Sequence, residues 1–424
     1  MNSNSPHTPY FDRITWDWLK VLGSNGVQLL FSFLSGLLLA RLLNLEHYGL
    51  FNMIVSFAAV AGAVSEFGLT ASASYHLPQK LKSSFKQALE LGKVYFWLRV
   101  GYAALFTAII GGFAFLLVPL YPSLEISVAI IQLAALAILA NAVNDSVKTF
   151  HQVDARFDRY SYLIIAGAAV TLLFTAILAI GNWLNLTTAV FFLLIIKEMA
   201  MVLLGYYWMS SAWALAFPAW TELKKGWKTL TRSGIWIWLA NIIEKLGIRL
   251  DLLVIPLWLS GWKLGVYALA FNLARRLSTV NHNLYTVVLP RTSQLETVDK
   301  RQDFIIKSLW RSCLVSLAIF AVILLADPLI PFVYGPSFDF SITIFRGLAA
   351  IVILEVFTTP FLLLFHALQR ENEKTIYETI KTTTLILLIL MLLPEYGLGG
   401  LVLGRFAATF LSSLYALSRT RNYW

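Results

Sequence analysis

Apolar runs of roughly twenty residues recur from one end of this chain to the other, and they narrow what it can fold into. Each run is long enough to cross a ~30 Å hydrocarbon core as a helix. Inside such a core every backbone N–H and C=O must be satisfied by the protein itself, which leaves helices and closed barrels. The runs are continuous and lack the period-two alternation of barrel strands, so the spacing predicts helices. Spans fall near 22–43, 49–75, 94–118, 124–147, 160–181, 187–209, 233–258, 265–289, 307–332, 341–365, 376–393 and 399–418. Only 13% of the residues are charged, against about 25% in a soluble domain. The expectation is an all-α integral membrane protein with about twelve transmembrane helices.

The net charge of +10 invites a nucleic-acid reading, but the distribution of charge excludes it. With the N-terminus inside, 23 of the 33 basic residues fall at the cytoplasmic face, from Arg13 and Lys20 to Lys374, Lys381, Arg419 and Arg421. Only Arg41 and Lys263 fall at outer ends. This is the positive-inside asymmetry of a multi-pass membrane protein, with both termini cytoplasmic. No cleavable signal peptide is expected ahead of the first span. The opening stretch TPYFDRITWDWLKVLG puts Phe11, Ile14 and Trp18 on one helical face, as an interfacial helix requires. The single Cys313 and six scattered histidines supply no disulfide framework and no metal-ligand spacing. No cofactor is expected.

The polar break EHYGLFN (46–52) precedes the second span and has a counterpart, WKLGVYALAFN (262–272), before the eighth. Gly49 corresponds to Gly265 and Phe51 to Tyr267. Phe150-His151 after the fourth span and Phe365-His366 after the tenth repeat the offset. Pro78 and Pro290, read as ending the second and eighth spans, do so with a small slip. Two six-helix halves follow: a cytoplasmic interfacial segment 1–21, a lobe 22–209, a basic cytoplasmic linker 210–232 and a lobe 233–424. An even number of spans per half gives both repeats one orientation, so their pseudo-two-fold should run along the membrane normal.

LARLLNLEHYGLFN followed by SEFGLTASASY, with RLDLLVIPLWLSGWKLGVYALAFNLARRLS and VVLPRTSQL in the second half, resembles the polysaccharide-exporter branch of the multidrug/oligosaccharidyl-lipid/polysaccharide exporter superfamily. The resemblance covers nearly the whole chain. It implies an oligosaccharide flippase of bacterial inner membranes, similar to O-antigen translocases, that moves undecaprenyl-diphosphate-linked glycans outward by alternating access. The partners it implies are the lipid-linked oligosaccharide, membrane lipids, a monovalent cation or proton, and a polysaccharide polymerase. Where the family more often has Asp before Phe/Leu-Gly-Leu, this chain has Glu66-Phe67-Gly68-Leu69.

Eight basic residues fall inside spans. At about 2.5–3.5 kcal/mol each, their uncompensated insertion would cost roughly 20–28 kcal/mol, more than a typical fold's net stability. They must face a wet cavity, pair with acids or snorkel. Asn241, Lys245 and Arg249 recur at i, i+4 and i+8 in the seventh span, with Glu244 and Asp251 beside them. The eighth span adds Asn272, Arg275, Arg276, Thr279 and Asn283 at helical spacing. Two polar stripes of this kind should line one cavity, with Lys245, Arg249, Asn272, Arg275 and Arg276 as candidate binders of the diphosphate and any acidic sugars. The alternative is a structural network in which Glu244 and Asp251 neutralise Lys245 and Arg249. Glu66, Asp251 and Glu355 are candidate ion-coupling groups, Glu355 equally a satisfied structural acid. Arg99 is expected to snorkel, Lys197 and Glu198 to point apart, and Arg346 and Arg405 to sit in the outer third.

An ion-coupled multidrug antiporter of the same superfamily is the main rival, and it calls for an acid-rich cavity. A polymerase, ligase or glycosyltransferase would present catalytic groups on sizeable loops; the external loops here are shorter than about ten residues, so no enzyme is expected. The flippase of the peptidoglycan lipid precursor has fourteen spans, and this chain has no residues left for the extra pair.

Overall fold

The computed structural model describes residues 9–421 apart from 125, 210–212, 214–215, 289–296 and 369; side chains are also left undescribed at 9–22, 233, 280–288, 366 and 371. Among the described residues there is no strand. Twelve long helices carry the chain: α1 (Pro9–Leu42), α2 (Leu45–Glu66), α3 (Leu69–Ser83), α4 (Phe85–Gly112), α5 (Val128–Val153), α6 (Phe157–Ile180), α7 (Leu186–Trp208), α8 (Trp220–Trp258), α9 (Gly261–Val288), α10 (Val298–Leu324), α11 (Phe340–Ala367) and α12 (Glu371–Thr420). Nine helices among the described residues are long and apolar enough to cross a membrane. The last of them, within α12, holds the eleventh and twelfth predicted spans, which reverse at Gly397 (φ 57°). The seventh and eighth spans are α8 and α9, whose charges keep them out of those nine. Counted this way, the chain has its twelve crossings.

Local chemistry sets the ends. Ser127 accepts from the Ile130 N–H at 3.4 Å and starts α5. Asn185 and Thr188 form a reciprocal capping box ahead of α7, each satisfying an N–H that the helix start would otherwise orphan. Thr297 does the same for α10. α1 runs without a break from Pro9 through the first crossing, so 9–21 is a continuation of that helix. Pro78 does not end its span: it lies inside α3, which continues to Ser83. Neighbouring helices let a membrane helix tolerate an internal proline. Pro290 and the Asn283 side chain lie outside the description.

The chain divides into two compact units. Unit 1 comprises Met1–Leu39, Ala61–Leu117 and Ser127–Leu239; unit 2 comprises Ala40–Val60, Val118–Ile126 and Ala240–Trp424. In unit 1 the second crossing is broken between α2 and α3, where Phe67 (φ 48°) and Gly68 (φ 69°) adopt the left-handed conformation. Such a break deprives carbonyls at the end of α2 of their usual partners. The Trp238 indole of α8 supplies one, donating to Ala63 O at 3.0 Å and Val64 O at 3.1 Å. Its ring stacks on Phe67 at 5.0 Å, and the Gly68 and Gly234 backbones touch, with no room for a Cβ at either. A further core packs Tyr95, Phe150 and Trp213, whose Nε1 bonds Asp154 at 2.9 Å.

In unit 2 the repeat-related glycines meet each other. A Cβ on Gly49 would lie 2.5 Å from Gly265 N, and one on Gly265 would overlap the Leu45 carbonyl oxygen. Because the obstacle is backbone, it cannot give way. Gly265→Ala should therefore cost at least the ~1–3 kcal/mol of ordinary overpacking and sharply reduce monodisperse protein recovered in detergent. Gly101→Ala, with nothing within 4 Å of its Cβ, should leave recovery unchanged.

Candidate functional site

The charged side chains of the second half gather in unit 2, on α8, α9, α11 and α12. Asp251 is 0% exposed and is held by Arg405, whose Nε donates to Oδ2 at 2.7 Å. Tyr267 donates its hydroxyl to the same oxygen, and Arg405 also donates to Gly247 O at 3.0 Å. Arg405 completes this setting with its guanidinium 5.8 Å from the Phe271 ring centroid. A buried carboxylate needs such a partner, because taking an isolated charge out of water is prohibitive. Asp251 therefore neutralises Arg405 and not Arg249, and Arg405 belongs to the interior rather than to the membrane surface.

Glu355 is also paired. Lys381 Nζ lies 2.6 Å from Oε1, and Ser278 donates to Oε2 at 3.3 Å. Lys381 was assigned above to the cytoplasmic end of its span. In the structure α12 begins at Glu371, so Lys381 lies ten residues along it, or ~15 Å at 1.5 Å per residue. Glu378, one turn earlier, acts electrostatically on Lys381, Glu244 and Glu355.

With these acids engaged, Arg249 and Arg275 form no ion pair among the described residues. Arg249, half-buried, donates to the Ser56 hydroxyl at 3.5 Å and lies within electrostatic reach of Arg275. Arg275 lies within electrostatic reach of Glu244, Glu355 and Arg405 but forms no ion pair among the described residues. Arg276 lies within electrostatic reach of Tyr334 and Tyr48. Asn272 is committed to packing, its amide donating to Tyr48 Oη at 3.1 Å and Asn52 Oδ1 at 2.7 Å. Lys245 and Glu244 are exposed on α8. Glu66 ends α2 in unit 1 and is not part of this group; it makes no hydrogen bond or ion pair with a described residue. Two guanidinium groups within electrostatic reach repel, and a bound anion would offset that repulsion.

The other intramembrane charges are paired or buried. Arg346 pairs with Asp327 at 2.5 Å. Lys197 and Glu198 do pair, and Asn144 donates to the same carboxylate. The pair follows a π-helical turn at Phe192–Ile196, and the flexible lysine stem spans the angle between adjacent positions. Arg99 is 4% exposed and so does not snorkel. No group of three or more metal-ligating side chains occurs among the described residues.

This helical architecture is that of a multi-pass membrane protein. Its fold matches that of lipid II flippase MurJ in an inward closed conformation, with a TM-score of 0.73, 13% identity, and 95% of this chain and 87% of that one covered. It equally matches an inward-facing multidrug resistance MATE family transporter of the MOP superfamily, with a TM-score of 0.72, 14% identity and coverage of 93% and 95%. A MOP superfamily transporter from Pyrococcus furiosus, described by the reverse polarity of its binding pocket, matches with a TM-score of 0.54, 13% identity and coverage of 96% and 94%. No curated protein sequence matches. The family model for polysaccharide biosynthesis proteins matches residues 38–343, and the chain belongs to that family.

The Asp251–Arg405 pair generates a stability prediction. Asp251→Asn leaves a buried guanidinium unpaired and should destabilise the protein by about 3–5 kcal/mol. Arg405→Gln should do comparable damage. The double variant should recover part of the loss, because neither charge is then stranded. Unfolding of the purified variants in detergent, followed by tryptophan fluorescence, measures all three.

Proposed function

We propose that the protein is a flippase for undecaprenyl-diphosphate-linked oligosaccharide. It carries the lipid from the cytoplasmic to the periplasmic leaflet of a bacterial cytoplasmic membrane by alternating access, in O-antigen, capsule or exopolysaccharide biosynthesis. The observation that carries this reading is that Arg249 and Arg275, half-buried and within electrostatic reach of one another, have no ion-pair partners among the described residues. Its chemistry is that of an oxyanion site: each guanidinium offers a planar donor fork that fits phosphate oxygens. Arg276 and Lys245 add attraction, and Asn272 holds α9 in place through Tyr48 and Asn52. Membership of the polysaccharide biosynthesis family and the fold likeness to a lipid II flippase support the same reading. The likeness to a multidrug transporter supports the alternative, an ion-coupled antiporter, but a cationic drug would meet the unpaired guanidinium groups as like charges.

Glu66 and Glu355 are the proposed titrating groups for coupling to an ion gradient, with a polysaccharide polymerase as the downstream partner. Asp251, in this reading, is held by Arg405 and serves stability.

Two measurements test the proposal. In proteoliposomes, Arg249→Ala and the Arg275→Ala, Arg276→Ala double variant should lose translocation of a polyprenyl-diphosphate oligosaccharide by tenfold or more, on the order of the 1.5–3 kcal/mol of a hydrogen bond to a charged group. Their abundance should stay near normal; full translocation by the double variant would refute the site. With Cys313 replaced, single cysteines at Ser123 and Leu398 should label from outside intact cells and one at Lys225 should not. Labelling at 225 would overturn the orientation.

A further inference from the structure

The first turns of α8, from Trp220 to Arg232, have no role in the site above. The whole helix has 39 residues, or ~58 Å at ~1.5 Å per residue, nearly twice the ~30 Å of a hydrocarbon core. Part of it therefore lies outside that core, and α4 marks where. A Cβ on Gly226 would lie 2.6 Å from Val94 Cγ1, so the two residues pack directly. Val94 follows Lys86, Glu90 and Lys93, and from Val94 to Gly112 the only charge on α4 is Arg99. Gly226 thus stands where its neighbour passes from polar to apolar, at the depth of lipid headgroups.

The segment has two opposite faces. Leu223, Gly226 and Leu230 recur at i, i+3 and i+7 and turn inward, with Leu230 buried in the core of Tyr95 and Trp213. Lys224, Lys228 and Arg232 recur at i, i+4 and i+8 on the other side, with Lys225 beside them. All four are exposed, and none pairs with an acid among the described residues. The segment's one acid, Glu222, is used locally and accepts from the Ala219 N–H at 2.9 Å. Trp220 and Trp227 border the basic stripe, 76% and 48% exposed. The Trp227 indole donates to Tyr102 Oη at 2.6 Å, and Tyr102 lies further along α4 than Val94, on the apolar side of the boundary.

We propose that this face of α8 binds anionic phospholipid through its headgroup phosphate. Charge selects the lipid: clustered Lys and Arg on an amphipathic helix attract an anionic membrane surface, each contributing about fivefold in affinity. Depth selects the source of the phosphate. Exposed indoles settle at the boundary of hydrocarbon and water, so the basic stripe beside them meets phosphates that carry acyl chains rather than phosphates free in solution. The lysine and arginine stems lie along the apolar surface and put their charges at the level of the headgroups. The site is independent of the substrate reading: a protein that carries no glycan would still recruit the lipid here.

The full-length protein in lipid nanodiscs provides the test, with Cys313→Ser and a bimane fluorophore on Thr221→Cys, an exposed position one turn before Lys225. Quenching is compared between doxyl-labelled phosphatidylglycerol and doxyl-labelled phosphatidylcholine at equal mole fraction. The anionic lipid should be preferred at least about fivefold at low salt. The gap should narrow in about 1 M NaCl, where the Debye length is about 3 Å. The Lys224→Gln, Lys225→Gln, Lys228→Gln, Arg232→Gln variant should lose the preference. The Lys300→Gln, Lys307→Gln, Arg311→Gln variant, which removes exposed charges from α10, should keep it. Equal quenching by the two lipids in the labelled parent overturns the proposal, as does an undiminished preference in the α8 variant or an equal loss in the α10 variant. Displacement of the lipid by millimolar glycerol phosphate assigns the face to a soluble anion and likewise overturns it. If the α8 variant does not fold, the parent's response to salt decides: a preference that narrows supports the site, and one unmoved by salt overturns it.

Discussion

Everything in unit 2 is hung on the place where the two repeat-related glycines meet. With the Gly49 and Gly265 backbones in contact, a helix from each half of the sequence starts at the same point. That brings Tyr48 and Asn52 of α2 within hydrogen-bonding distance of Asn272 on α9. It also sets Ser56, two turns along α2, opposite Arg249 of α8. A side chain larger than hydrogen at either glycine would push these helices apart and undo the polar contacts along them. Without a hydrophobic driving force between helices in lipid, such close backbone approach is what membrane helices rely on.

The second organising choice is how charge is distributed. Asp251 is consumed by Arg405 and Tyr267, and Glu355 by Lys381 and Ser278. Each acid is tied to a cation from α12 rather than to the arginines of α8 and α9. The consequence is selective: cations that pack against acids stabilise the helix bundle, while Arg249 and Arg275 are left without a carboxylate among the described residues. Had Asp251 paired with Arg249 instead, the acid would still be neutralised and Arg405 would be the buried cation left over.

Much of the fold was legible because length and hydrophobicity suffice to identify a crossing. The repeat was legible too, since the glycine in EHYGLF and WKLGVY marks a position where backbone closeness forbids any other residue. What stayed hidden was pairing across helices. Nothing in sequence order ties Asp251 to Arg405, 154 positions away, and a local ion pair with Arg249 on the same helix was the nearer guess. Nor does anything in sequence order tie Lys381 to Glu355, 26 positions earlier on another helix. The break at Phe67-Gly68 was masked by the apolar residues on both sides, and only a left-handed backbone reveals it. Arg99 looked like a residue within reach of the surface; a neighbouring serine and the absence of any acid on its own helix turn were the available hints.

The break has a mechanical consequence. An unbroken helix spanning α2 and α3 would be a stiff rod, and displacement at one end would reappear at the other. Divided at Phe67-Gly68, the second crossing becomes two levers, of 22 and 15 residues, joined at a point where the backbone has already left the helical path. Their lengths are ~33 Å and ~22 Å at 1.5 Å per residue. Torque applied to the shorter arm turns it about the joint instead of tilting the longer one. Trp238, donating to the last free carbonyls of α2, sets the friction of that joint from a helix distant in sequence.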